Sequence, residues 1–215
     1  MKRLPKDIFV TGIDTNVGKT VISAILMQAL QADYWKPIQS GMIEGADVDI
    51  VKNLVSNPKS KVYPEAYNFK APTVPSHAAR LEGRTIEETS IKLPLTTNRL
   101  IVEGAGGLMV HLRRNFMVID LIKHLKTPVV LVSKNYLGSI NHTLLSIEAM
   151  QSRGVEILGI IYNGERSEHM RELIYDTTGI PEIGSVHTAP HINQDFINAQ
   201  SLHLYSSLKK HFAIV

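Results

Sequence analysis

Two hydrophobic periods alternate along the chain. Residues 7–12, DIFVTG, form a short β-branched and aromatic run closed by a glycine, which predicts a strand. Val21, Ile22, Ile25, Leu26, Ala29 and Leu30 then recur at helical spacing. DYWKPIQSG (33–41) reads as a short strand that turns at Pro37, and Val48, Val51, Leu54 and Val55 predict a helix over 47–55. Pro58, Pro64, Pro72 and Pro75 mark residues 56–76 as irregular, and TIEETSIKL (85–93) predicts a helix closed before Pro94. RLIVEGAGG (99–107) reads as a buried strand ending in an acid and a glycine turn. FMVIDLIKHLK (116–126) is an amphipathic helix, and PVVLVS is apolar throughout, as a central parallel strand covered on both faces should be. A helix over 139–154 is expected, with Ser139 as N-cap and Gly154 at its end. The strand EILGIIYNG, the helix SEHMRELIYDTTG, the strand EIGSV and a helical tail from Ile192 complete the series. Strands alternating with helices predict an α/β protein, a doubly wound and mostly parallel sheet with helices on both faces. Such a sheet binds ligands at the carboxyl ends of its strands. One domain over 1–215 is expected, with 56–98 an irregular and helical excursion and 164–215 a C-terminal segment.

Composition narrows the function classes. The net charge of +3, from 23 basic and 20 acidic residues, is small and spread out, so nucleic acid is not an expected partner. The chain has no cysteine, which excludes disulfides and thiolate zinc sites and permits a cytoplasmic location. No stretch approaches the length of a membrane span. In the tail SSLKKHFAIV, Leu204, Leu208 and Phe212 read as a packed last helix rather than a membrane anchor. The nine histidines lack metal-ligand spacing.

VTGIDTNVGKT (10–20) carries the chemistry. Gly18-Lys19-Thr20 closes a phosphate-binding loop between a strand and a helix, although five residues rather than four separate Gly12 from Gly18. Backbone N–H groups and a helix N-terminus would cradle the phosphates, with Gly12 letting the chain turn off the strand. Lys19 would reach the β- and γ-phosphates, and Thr20 would offer its hydroxyl to Mg²⁺. Lys36, at the carboxyl end of the second strand, would neutralise charge that develops on a transferring phosphate. Glu103 is placed for Mg²⁺, and the glycines after it let a ligand approach the backbone. Asp47 reads as a helix N-cap or first-turn acid, and a metal role for Asp47 or Asp49 stays open.

FVTGIDTNVGKT, WKPIQSG, VEGAGGLMV, LGSINHTLLS and GIIYNG, in that order over about residues 7–164, together resemble the dethiobiotin synthetase family, whose phosphate loop has the same long spacing. The resemblance implies a P-loop NTPase-like fold and a homodimer that uses ATP and Mg²⁺. The implied reaction joins CO₂ (or bicarbonate) to 7,8-diaminopelargonic acid and closes a ring to dethiobiotin, in biotin biosynthesis. By the same likeness Lys36, Lys19 and Thr15 would be catalytic, and Thr20, Asp47 and Glu103 would hold the metal. Asp47 fits better than Asp49 because GADVDIV then keeps its apolar residues in phase. Nucleotide would contact Asn16, Val17, Gly18, Lys19, Thr20, Val21, Asp47, Glu103, Gly104, Ala105, Gly106, Asn163 and Gly164, with Asn163 reading the base and segment 164–215 on the base side. The diamine would meet Thr15, Ser40 and the turn Gly104, Ala105, Gly106, Gly107. Leu137, Gly138 and Asn141 of the dimer partner would bind its carboxylate tail. Asn16 stands where the family often has Glu, and His187 where Pro is usual. The alternative is a partitioning or MinD-like ATPase switch, but the signature lysine of that class is here Asp14.

Overall fold

The computed structural model describes residues 1–41, 46–165 and 167–214. Gly45, which opens the GADVDIV stretch, and Val215, which ends the tail, lie outside the described residues.

Seven strands form the central sheet: β1 Asp7–Gly12, β2 Asp33–Trp35, β3 Val62–Tyr63, β4 Leu100–Gly107, β5 Val129–Lys134, β6 Ile157–Asn163 and β7 Glu182–Val186. Their spatial order is β7-β6-β5-β1-β4-β2-β3, and every pairing is parallel. The helices are α1 Lys19–Leu30, α2 Asp47–Leu54, α3 Pro75–Leu81, α4 Val118–Leu125, α5 Ser139–Ser152, α6 Glu168–Thr178 and α7 Gln194–His211. The chain leaves β1 toward one edge through α1, but runs from β4 through β5, β6 and β7 toward the other edge. Right-handed crossovers therefore put α1 on one face and α4, α5 and α6 on the other. α7 returns to pack on α1 and α2. The switch in direction falls at β1, which lies between β5 and β4, so the loop after β1 opens into the crevice where such sheets bind ligands. β5 is buried on both faces through Val129, Val130, Leu131 and Val132, which is why it reads as an unbroken apolar run.

Several expectations need correction. Residues 85–93 hold only a 3₁₀ turn at Glu88–Ser90. Ile86 and Ile91 are both fully buried, but they stand five residues apart and cannot share one helical stripe. Pro75 opens α3 instead of breaking structure, because a proline at the first helical position forfeits no hydrogen bond. The proline-rich stretch also contributes the edge strand β3 and a Tyr67–Phe69 strand that pairs with Ile38–Ser40. Pro37 separates Ile38–Ser40 from β2. Phe116 and Met117 pair with the His111–Arg113 strand, so α4 begins only at Val118. α5 is capped by Gly138 at φ 96°, and Ser139 is its first residue rather than its cap. Glu103 sits inside β4, which runs on through the glycines to Gly107, so it is not a strand-ending acid. Leu204, Leu208 and Phe212 are buried as expected of a packed last helix, and no helix among the described residues is long and apolar enough to cross a membrane.

A buried cation–carboxylate cluster at the phosphate loop

The loop after β1 is shaped by close packing. Gly12 is extended within the strand, and a Cβ there would lie 2.4 Å from Val17 Cγ2. Gly12 is thus required by the loop folding back over it, not by a turn as the sequence implied. The turn conformations belong to Asn16 (φ 59°) and Gly18 (φ 93°). Asparagine is among the few non-glycine residues that take this conformation readily. A Cβ on Gly18 would meet Asn163 Nδ2 at 2.1 Å, and that amide donates to the Val17 carbonyl at 2.8 Å. β6 therefore clamps the loop from outside. α1 starts at Lys19 with no side chain capping its first amides and no acid in its first turn, which leaves those N–H groups for an anion.

Behind the loop four elements converge. Thr20, the second residue of α1, places Oγ1 2.9 Å from Asp47 Oδ1 and 2.9 Å from Glu103 Oε1. Lys36, one residue past β2, donates to Asp47 Oδ2 and, at 3.0 Å, to Glu103 Oε1. Tyr34 donates to the other oxygen of Glu103, Oε2, at 2.9 Å. Glu103 is 1 % exposed and Lys36 5 %. Burial opposes the charge on Lys36, yet the carboxylates of Glu103 and Asp47 outweigh it and its pKa lies above the ordinary lysine value. Burial likewise works against ionised Asp47, but Lys36 and the Thr20 hydroxyl hold its carboxyl below the usual range. Lys19 forms no ion pair among the described residues: Nζ donates to the Asp14 carbonyl at 2.9 Å, and burial brings its pKa down to about 8 despite attraction from Glu103.

Three oxygens, from Thr20, Asp47 and Glu103, thus gather at the start of α1. No group of three or more histidine, cysteine, aspartate or glutamate side chains suited to a metal occurs among the described residues. Mg²⁺ does not need one, because it is held by one or two carboxylates together with water and substrate phosphates. The donor set fits that ion. Asp47 is the acid that joins this cluster, bonded to Thr20 and Lys36; Asp49 faces outward and lies 3.8 Å from Lys52. Asp47 is the first residue of α2 and makes no cap bond, so of its two readings the first-turn acid holds and the N-cap does not.

The other expected residues lie at varied distances from this cluster. Val17 is buried in the loop and Val21 lies on the first turn of α1. Thr15 is exposed, its Oγ1 3.6 Å from where a Gly106 Cβ would be, so loop and glycine turn face one another. Gly104 packs against the Phe9 ring, and Gly107 pairs with Gly12 in register. Ala105 and Ser40 are half-buried, and Gly164 donates its N–H to the Val186 carbonyl at 2.9 Å. Leu137, Gly138 and Asn141 are exposed at the start of α5, Leu137 fully so. A cavity of ≈ 690 Å³ lies beside Thr15, walled by Ile13, Leu108, Met109, His142 and Leu145. Tyr34 was missed in the sequence, although it stands on the strand that leads into Lys36, two residues ahead of it.

A glycine loop closing on Lys-Thr between the first strand and first helix, at the switch point of a parallel sheet, defines a P-loop nucleotide-binding α/β protein. Residues 6–195 match the family model described as an AAA domain. The chain is 45 % identical over 191 residues to the ATP-dependent dethiobiotin synthetase of Christiangramia forsetii, covering 89 % of this chain and 92 % of that one. It is 42 % identical over 203 residues to that of Cytophaga hutchinsonii, covering 94 % and 98 %. The chain belongs to the ATP-dependent dethiobiotin synthetase family, whose members are ligases that form carbon–nitrogen bonds. Among solved structures it resembles the septum site-determining protein MinD of Pyrococcus horikoshii, complexed with Mg-ADP, at a TM-score of 0.60 and 15 % identity over 98 % of this chain and 96 % of that one. That likeness is one of fold alone.

Proposed function

We propose that the chain makes dethiobiotin from 7,8-diaminopelargonic acid, CO₂ and ATP. One substrate amine adds to CO₂ and loses a proton, giving a carbamate. A carbamate oxygen attacks the γ-phosphorus, ADP leaves, and a carbamic–phosphoric anhydride remains. The second amine attacks the carbonyl carbon, phosphate departs, and the ring closes. The chain must bring two anions, carbamate and triphosphate, into contact. The observation that carries the reading is a buried ammonium, Lys36, held ionised by two carboxylates just behind the loop that would hold the phosphates. Lys36 and Lys19 would flank the transferring phosphoryl group and offset the repulsion. Thr20, Asp47 and Glu103 would hold Mg²⁺, which supplies further positive charge when bound. Thr15 and the Gly104 to Gly107 turn would line the reacting end, with Ser40. The apolar walls of the cavity beside Thr15 suit an aliphatic chain. Asn163 spends its Nδ2 on Val17, so its Oδ1 remains to accept from an exocyclic amine of the base. In a homodimer the exposed α5 start of one copy, Leu137 to Asn141, would meet the carboxylate tail bound to the other, using N–H groups of a helix N-terminus. We place the nucleotide's base side in residues 164–215.

Mixing the protein with the diamine, bicarbonate and Mg-ATP should release phosphate only when the diamine is present, with dethiobiotin formed in equal amount. Phosphate release indifferent to the diamine would reject the ligase reading and favour the ATPase switch.

A further inference from the structure

Tyr34 lies on β2 with its side chain on one face of the sheet, and Lys36, two residues on and just past the strand's end, meets the same carboxylate, Glu103. The register partner of Tyr34 on β4 is Ile101, two residues before Glu103, which brings Glu103 to that face as well. Tyr34 is fully buried. A phenylalanine would fill nearly the same space without a polar atom, and a buried hydroxyl is tolerated only when bonded. Its partner is Glu103 Oε2, at 2.9 Å. The opposite oxygen, Oε1, receives both Lys36 at 3.0 Å and Thr20 at 2.9 Å. The two oxygens of Glu103 are therefore not equivalent: one is fastened inward and the other faces the loop.

We infer that Tyr34 is a positioning residue for the divalent-cation site: its hydroxyl fastens Oε2 of Glu103 and turns Oε1 alone toward Thr20 and Asp47. The inference rests on the reading that Thr20, Asp47 and Glu103 hold Mg²⁺. Without the hydroxyl the buried carboxylate loses a charge-assisted hydrogen bond and its fixed rotation. Groups that orient a metal ligand in this way are typically worth about 10–100-fold in metal affinity.

The test is equilibrium binding of ATP to the full chain, first in EDTA and then across a Mg²⁺ titration at fixed ATP. Tyr34→Phe should leave ATP affinity in EDTA within about twofold and raise the Mg²⁺ midpoint about tenfold. In a Glu103→Gln background the same substitution should shift nothing further, because Tyr34 acts through that carboxylate. An unmoved midpoint would overturn the inference, and so would equal losses with and without Mg²⁺, which mark a packing role. Tyr34→Met, which fills the space without a hydroxyl, provides the same comparison should the phenylalanine variant not fold. Failure of both to fold would also overturn it, since the hydroxyl would then be holding the fold. Only nucleotide and Mg²⁺ are used, so a protein that never turns over the diamine still answers the question. Conversely, diamine turnover with an unmoved midpoint removes this inference and leaves the proposed function standing.

Discussion

Lys19 and Lys36 are both buried at one site, yet their environments set them apart. Lys36 has two carboxylates within reach and stays ionised well into the alkaline range. Lys19 has a backbone carbonyl and a pKa of about 8, so its ammonium is poised near neutrality until an anion arrives. The sign follows from linkage. Phosphates bind the protonated form, so bound nucleotide raises the Lys19 pKa and the free protein's value sets the edge of the pH range. Nucleotide affinity should be flat below pH 8 and should weaken as pH rises through 8, approaching about tenfold per unit until the pKa of the complex is reached. Affinity measured between pH 7 and 9.5 checks this. Lys19→Arg, which keeps its charge throughout, should lose the break even if it binds more weakly. A break that survives in the arginine variant would assign it to another group.

At the scale of elements, the loop is held by a neighbour distant in sequence. Gly18 needs both its positive φ and the absence of a Cβ, because the Asn163 amide occupies that space. Gly18→Ala should destabilise the chain through both terms. Adding Asn163→Ala to Gly18→Ala should relieve the clash and leave the backbone cost, about 1–2 kcal/mol for alanine in the left-handed region. Urea unfolding of the two singles and the double measures the coupling, and strictly additive losses would mean the two residues do not share that space. What the sequence showed of this region has a physical pattern. β1 and β5 were legible because both their faces are buried, and Gly18-Lys19-Thr20 because a phosphate cradle needs those residue types at that spacing. Helix 85–93 was misread because Ile86 and Ile91 anchor an irregular strap, and burial of a strap leaves no period to read. Pro75 was taken for a breaker because proline's effect depends on its place in a helix, and the chain text does not print that place. The clustering of Tyr34, Lys36, Asp47 and Glu103 was only half legible. Lys36 could be placed just past a strand end, and Asp47 preferred to Asp49 by the phase of the apolar residues in α2, whereas Glu103 stands inside β4 rather than at its end and Tyr34 belonged to no motif.

At the scale of the molecule, the proposed site divides between two copies. Lys36 and the loop meet in the chain's own cluster, while Leu137, Gly138 and Asn141 stand exposed at the start of α5. Leu137, Leu145 and Met109 are exposed apolar side chains, and the last two also line the cavity beside Thr15. A twofold dimer formed through this face would bury them and carry each α5 start to the partner's reaction site, since a contact of that symmetry is made twice. Complementation tests this directly. Lys36→Met should inactivate the site on its own chain, and Asn141→Asp should set a negative charge against the substrate carboxylate bound to the other chain. Each variant alone should be nearly inactive. If the two are unfolded and refolded together in equal amounts, about half of the dimers are mixed, and each mixed dimer has one site with both defects and one with neither. Activity should return to about a quarter of the native value for the same amount of protein. A site built within a single chain has no such route, because every chain in the mixture carries one of the defects. Recovery near a quarter therefore supports the shared site, and no recovery from a mixture shown to contain mixed dimers would return Asn141 to its own chain or remove it from the site.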